Sequence, residues 1–356
     1  MRRCLAIALL AAALLGAPPA DAQFFAGKTV TMVINYGVGG NADTEGRIFV
    51  RHLPRHIAGS PTIIVQNLPG AGGLTAINLI GTHAGFKSDG TVIGYFTFNA
   101  VAPIIDDPTL RVKMADFAFV SGVGGWVVTY GRKEILQGRS VAEGMKSAKD
   151  LFVGGYAPNA SHDVRLKLTL GLIGAKFKMV TGFPDSGSVN KAMLQNEINY
   201  TASTLPGFTS QAMPQLIGPG IAQPIWQYPV SAPGGGFTGN ERLTADGVKS
   251  FVEIYREATG KPPAGPAFEA FVLVNDISTK LARVALMPPG TPPDAVAEMR
   301  KGFAALASDE EFLEEYRRVI KEKAELTGAA EGQAILERLR SVKPEIKAAL
   351  AKAVEE

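Results

Sequence analysis

The stretch Thr29-Val30-Thr31-Met32-Val33-Ile34-Asn35-Tyr36-Gly37-Val38-Gly39-Gly40-Asn41-Ala42-Asp43 decides the fold. Its first seven residues are mostly apolar or β-branched and read as a buried strand. The glycines make a tight turn, and Thr44 to about Leu53 carries Ile48, Phe49 and Leu53 at helical spacing. Pro54 ends that helix, because its ring clashes with a continuing turn and it has no N–H to donate. The plan then recurs. Strand Thr62 to Val65 leads into the turn Pro69-Gly70-Ala71-Gly72-Gly73 and a helix from Leu74 to His83. Ser88-Asp89-Gly90 turns the chain into a third strand, Thr91 to Phe98. Strand, glycine turn and helix in alternation predict parallel α/β units.

Phe117 to Tyr130 is apolar and punctuated by glycine, and is expected to carry the chain into a second lobe. There the plan returns with strand Leu151 to Gly155, turn Tyr156 to Ser161, strand Phe177 to Phe183, a short helix through Leu194, and one more strand before Leu205. His162 to Leu172 is ambiguous: alternate leucines fit a strand, while Val164, Leu168 and Leu172 fit a helical face, and helix is the expectation. Gly218 to Pro266 is rich in Gly and Pro and predicts loops around one helix, Ala245 to Thr259. Thr291 to Glu356 is helical, with a Ser308-x-x-Glu311 capping box. Its charged residues read as solvated helix faces. The expected division is 23–125 and 285–356 as lobe 1, and 126–284 as lobe 2 with a Pro/Gly-rich insertion at about 211–269.

Upstream, Arg2 and Arg3 precede an apolar run from Leu5 to Ala17 and the triplet Ala20-Asp21-Ala22. This is the pattern of a secretory signal peptide over 1–22, too short to span a bilayer, which takes roughly 20 apolar residues. The expected location is therefore the periplasm. The only cysteine, Cys4, lies inside this segment, so the remaining chain has no thiol or disulfide chemistry. Of 36 basic and 33 acidic residues, Arg2, Arg3 and Asp21 also fall there, leaving 34 and 32. Such a balance, with charges mixed along the chain, argues against a nucleic-acid partner.

The glycine turns are the candidate site. Each lies between a strand end and a helix start, where N–H groups have no partner within the helix, the helix dipole favours an anion, and glycine admits a ligand to the backbone. Adjacent strands bring two such turns to one sheet edge. The expected ligand contacts are Gly39, Gly40, Asn41, Asp43, Ala71, Gly72 and Gly73 on one side, and Asn159, Ser161 and His162 on the other. Asn99, just past the third strand, is a further contact. Asp43 reads equally as a first-turn acid that stabilises the helix, and Asn159 or Ser161 as a plain N-cap.

Rival chemistries have weaker support. Gly37-x-Gly39-x-x-Ala42 formally matches a dinucleotide fingerprint, but no Asp or Glu occurs between Glu45 and Asp89 to hold ribose hydroxyls. An NADP-linked enzyme using Arg51 or Arg55 is the alternative reading. Ser161, His162 and Asp163 are consecutive and cannot align as a relay. His52 and His56 are four apart, yet Pro54 interrupts and neither other histidine is near, so no metal is expected. Trp126 and Trp226 read as core before they read as ligand walls. No catalytic residue and no cofactor are expected.

Several stretches resemble the solute receptors of tripartite tricarboxylate transporters, the Bug-type receptors. The resemblance is carried by Tyr36-Gly37-Val38-Gly39-Gly40-x-x-Asp43, by Asn67-Leu68-Pro69-Gly70-Ala71-Gly72-Gly73, and by Ser88-Asp89-Gly90. Gly154 to His162, Gly182 to Ser188 and Met287-Pro288-Pro289-Gly290-Thr291-Pro292 continue it. It implies a two-lobed type II, Venus-flytrap periplasmic binding protein, each lobe a mainly parallel sheet flanked by helices. It further implies a monomer that holds a small carboxylate through backbone N–H groups and waters, and a separate membrane permease as partner. Tyr156 and Asn159 depart from the Ser/Gly-rich second-lobe loop usual in that family.

Overall fold

The computed structural model describes residues 23–356, and the signal-like segment 1–22 lies outside the described residues. Two mixed sheets form, each flanked by helices. In the first lobe β1 (Thr29–Ile34), α1 (Asn41–His52), β2 (Thr62–Asn67), α2 (Leu74–Gly81) and β3 (Val92–Thr97) repeat the strand–turn–helix plan. After the short helix α3 (Val101–Ile104), β4 (Ala118–Val123) completes the outbound part of this lobe.

The chain crosses at Gly124-Gly125-Trp126 from the first sheet into β5 (Val127–Arg132) of the second. The second lobe continues with α4 (Val141–Ser147), β6 (Phe152–Gly154), α5 (Ser161–Leu172), β7 (Lys178–Val180), α6 (Ser186–Leu194) and β8 (Tyr200–Thr204). A π-helical segment, Phe208–Ile217, precedes β9 (Ala222–Tyr228) and the small hairpin β10 (Val230–Ser231) and β11 (Phe237–Thr238). Helices α7 (Glu241–Ala245), α8 (Phe251–Thr259) and α9 (Pro266–Lys280) then lead back to the first sheet through β12 (Arg283–Met287). The chain closes with α10 (Pro293–Ala305), α11 (Glu310–Ile320), β13 (Leu326–Thr327), α12 (Ala329–Arg338) and α13 (Pro344–Glu355).

The first sheet has the order β13-β4-β12-β3-β1-β2 and the second β7-β6-β8-β5-β9. Pairing is parallel where the strand–turn–helix units repeat and antiparallel where the chain passes between lobes. The register positions the site. Ile34 pairs with Asn67 and with Tyr95, so the segments after β1, β2 and β3 emerge at one edge. Apolar packing is continuous from Phe96, Phe117 and Phe119 of the first lobe to Val153, Trp226 and Phe271 of the second. Helix α13 packs against α5 and α9 of the second lobe, so the C-terminus does not stay with the first.

Four local expectations need correction. The helix expected over Ala245 to Thr259 is two, α7 and α8, because Gly247 has φ +77 between them and Ser250 with Glu253 forms a capping box that starts the second. The Gly218 to Pro266 region also holds a largely buried strand, β9, with Pro224 inside it. Pro is tolerated because β9 is the edge strand, where a missing N–H breaks no ladder bond. The Ser308/Glu311 box does not form: Asp309 is the N-cap, accepting from Phe312 N–H at 3.1 Å, and Ser308 bonds back to Ala305 O. Finally, α5 starts at Ser161 with Ala160 at the N-cap, so neither Asn159 nor Ser161 fills that position.

Candidate functional site

A cavity of about 80 Å³ lies between the two sheet edges, lined from the first lobe by Tyr36, Gly40, Asn41, Gly72 and Asn99, and from the second by Tyr156, Ser161 and His162. Arg165, Asp185, Ser186, Ser203, Ser278 and Arg283 complete most of its polar wall. That space is large enough for several waters or a small acid.

Three helix starts converge on it: Asn41 of α1, Ser161 of α5 and Ser186 of α6. The helix dipoles favour an anion here, and Asp185, the N-cap of α6, already places one carboxylate in the wall, its Oδ1 accepting from Ser188 N–H at 2.8 Å. The lobes also touch here. Asn41 N–H donates to Ser186 Oγ at 3.0 Å, Asn41 Nδ2 to Ser203 Oγ at 3.3 Å, and Gly37 N–H to Pro184 O at 3.0 Å. Tyr36 and Tyr156 meet edge-to-face across the cleft, with ring centroids 5.0 Å apart, and burial raises both hydroxyl pKa values.

Of the residues expected at the site, Gly40, Asn41, Gly72, Asn99, Ser161 and His162 line the cavity. Asn99 Oδ1 accepts from Val101 and Ala102 N–H while its Nδ2 donates to Asn159 O at 3.1 Å. Ser161 Oγ accepts from Ala100 N–H at 2.8 Å, a bond that ties α5 to the first lobe. His162 Nε2 lies 3.0 Å from Ala202 O, and its Nδ1 3.2 Å from Asp163 Oδ2.

The other five stand behind the wall or beside it. Asp43 is buried and fully engaged: it accepts from Gly39 N–H at 2.9 Å, from Arg47 and from Asn67. Burial alone would raise its pKa, but these bonds and the Arg47 charge together hold it below the ordinary carboxylate value. It therefore shapes the first turn, whose Gly39 N–H points at Asp43. Asn159 Nδ2 reaches Asp107 Oδ2 at 2.6 Å, so its side chain bridges the lobes. Ala71 and Gly73 open on a neighbouring recess with Tyr36, Phe183 and Pro184.

Sequence reasoning missed the cationic groups. Arg165 is 6% exposed; its Nε donates to Ser161 O at 3.1 Å and its Nη1 to Asn275 Oδ1 at 3.2 Å. Burial pushes its pKa down to about 10. Arg283 Nε lies 3.2 Å from Glu45 Oε2, close enough to pair in charge though not aligned as a hydrogen bond. The one available signal was that Arg165 stands four residues after Ser161, hence on the same helix face.

The dinucleotide alternative loses its parts. Arg51 is paired with Glu315, and Arg55 with Asp309 and Glu311, all on or capping α11. The Asp185 side chain packs on Gly37 and Gly40, where a pyrophosphate would have to approach. His52 and His56 bond Glu315 and Asp309 at 2.5 and 2.6 Å, and among the described residues no group of three His, Cys, Asp or Glu is placed to hold a metal ion. Trp226 is core, packed between Tyr200 and Phe251.

The same architecture recurs in solved structures of periplasmic binding proteins. BugD matches over 92% of this chain and 98% of its own, at a TM-score of 0.66 and 15% identity. The fold is that of a two-lobed periplasmic binding protein. MatC from Rhodopseudomonas palustris, solved with bound malate, matches over 92% of this chain and 99% of its own at a TM-score of 0.64 and 19% identity. A second R. palustris protein, solved with adipate, covers 92% and 98% at 0.66 and 16%. No family model matches the sequence, and no curated protein is detectably similar to it. No helix among the described residues is long and apolar enough to cross a membrane.

Proposed function

We propose that this chain is a non-catalytic periplasmic receptor that captures a small organic carboxylate between its lobes and delivers it to a tripartite tricarboxylate-type permease. The observation that carries this reading is the convergence of three helix N-termini, one from the first lobe and two from the second, on a single small cavity. Such a cavity favours an anion and makes its contacts from both sides at once. A ligand that touches both lobes has more contacts in the closed state than in the open one, which is the differential affinity that lobe closure requires. The malate and adipate seen in two proteins of the same fold support the ligand class, and the signal-like segment 1–22 supports the compartment.

The test is a thermal-shift screen of residues 23–356 against di- and tricarboxylates, aromatic acids and amino acids, with NAD and NADP included. Ligand at 100 times its Kd adds about 2.7 kcal/mol to stability, a displacement of several degrees. A response to one carboxylate class and to neither nucleotide is expected. A response to a nucleotide alone overturns the reading.

A further inference from the structure

Two guanidinium groups line the cavity, and they differ in what balances them. Arg283 has Glu45 beside it, and Glu45 also accepts from the Tyr316 hydroxyl, so this cation belongs to a closed buried network. Arg165 has only neutral company: a main-chain carbonyl on its Nε, the Asn275 amide on its Nη1, and the Tyr228 ring face 5.7 Å from its central carbon. It forms no ion pair with any described carboxylate. Asn275 is itself fixed by donating to Pro229 O at 2.8 Å, so the guanidinium is held in one orientation by neutral groups, while Asp185, the carboxylate in the same cavity wall, accepts from Ser188 N–H and Oγ.

A buried cation without an anion is disfavoured, because its lost hydration is only partly replaced by neutral acceptors. With a pKa of about 10 it nonetheless keeps its proton at neutral pH. A second group in the same wall is also unfinished. Ser278 is 4% exposed, lines the same cavity, and its hydroxyl has no hydrogen-bond partner. Arg165 is on α5 and Ser278 on α9, and these helices pack directly on each other, so the two groups sit on one rigid second-lobe platform.

We propose that Arg165 is the counter-ion of the bound carboxylate and that Ser278 Oγ donates to the same ligand. The ligand is then recognised by direct charge pairing on the second lobe, and not by backbone N–H groups and waters alone. The inference rests on the receptor reading above and adds an order of events. The platform is complete without the first lobe, so the acid docks on α5 and α9 first, and closure then brings Asn41 and Gly72 over it. Planar, bidentate pairing with a carboxylate is the geometry a guanidinium offers and an ammonium does not.

Wild-type protein is first titrated by calorimetry with malate, succinate and adipate. Against the acid that binds, Arg165→Gln should lose at least thirtyfold in affinity, the lower range for truncating one member of a desolvated charge pair. Its unliganded melting midpoint should stay level or rise, since an uncompensated buried charge has been removed. Arg165→Lys should recover only part of the loss. Ser278→Ala, which deletes an unpartnered hydroxyl and leaves the fold untouched, should weaken binding about fivefold with no fall in the unliganded midpoint. If Arg165→Gln binds within threefold of wild type, the counter-ion assignment is overturned while the receptor reading stands. If its unliganded midpoint falls by several degrees and Ser278→Ala binds normally, Arg165 is a structural residue and the assignment is likewise overturned. If wild type binds none of the three acids, the receptor reading falls and takes this proposal with it.

Discussion

Replacing Gly72 by alanine adds one methyl group where the first lobe packs against Ala157 and Ala160 of the second. Gly72 has φ +61 and ψ 27, and an ideal Cβ built on it lies 2.9 Å from the Ala157 Cβ and 3.3 Å from the Ala160 Cβ. Carbon atoms settle at about 3.5–4.0 Å, so the lobes must part by roughly 0.6–1 Å or the loops must yield. Overpacking a contact by one methyl costs about 1–3 kcal/mol. Because this contact joins the two lobes, the cost falls on closure, and the affinity of a ligand that needs closure should drop about 5- to 150-fold. A separate cost of about 1–2 kcal/mol, for alanine in the left-handed region, acts in the open and closed states alike and appears only as lost stability. Calorimetry with the bound acid and a denaturant melt without it separate the two. The deciding arm is the double variant. Ala157→Gly removes the nearer methyl, so Gly72→Ala with Ala157→Gly should regain most of the affinity and none of the stability lost in the left-handed region. A single variant that binds like wild type, or a double variant no better than the single, would refute the closure argument.

Two further outcomes follow from the same geometry. Ser186→Ala removes the acceptor of Asn41 N–H and the donor to Gln211 Oε1, and should weaken binding about three- to tenfold by calorimetry, with the unliganded melting midpoint unchanged. On the far side of α1, burial raises the Asp309 pKa, but the bonds from Arg55, His56 and Phe312 N–H more than offset it, so the carboxyl is held well below its usual range. The Arg51 hydrogen bond is the main cause of the same downward shift in Glu315. A depressed carboxylate binds fewer protons folded than unfolded, so its contribution is present above about pH 4–5 and lost as pH falls through the folded value. Urea melts should therefore show stability declining below about pH 4. Asp309→Asn should cost about 1–2 kcal/mol at pH 7, with the half-exposed Arg55 screened by solvent, and make the acid decline shallower.

The first lobe was legible because its β-branched strands and glycine turns keep local propensity and tertiary role in agreement. Thr29–Ile34, Thr62–Asn67 and Val92–Thr97 form where the alternation places them. Helix α5 forms over Ser161–Leu172, where a helix was expected, but its pattern was ambiguous because it packs against both α9 and α13, so Val164, Leu166, Leu168 and Leu170 are all buried and no single face is apolar. The Gly/Pro-rich stretch hid β9 because proline at an edge strand breaks no ladder bond, a fact that only the sheet order reveals. At the site, reasoning from turns found the helix starts but not Arg165 and Ser278. Their chemistry depends on what is absent in space, an anion and a hydrogen-bond partner, and α9 lies more than a hundred residues from α5. Gly39 and Asp43 illustrate the converse: the turn motif was read correctly as N–H rich, yet its own acid occupies that N–H.

The most direct test is a crystal structure of residues 23–356 grown with whichever carboxylate gives the largest thermal shift. The account predicts one acid enclosed between the lobes, bounded by Asn41 and Gly72 on one side and by Ser161, His162 and Ser278 on the other, with a carboxylate against Arg165. An acid bound outside this cavity, or an empty cavity at saturating ligand, would contradict it.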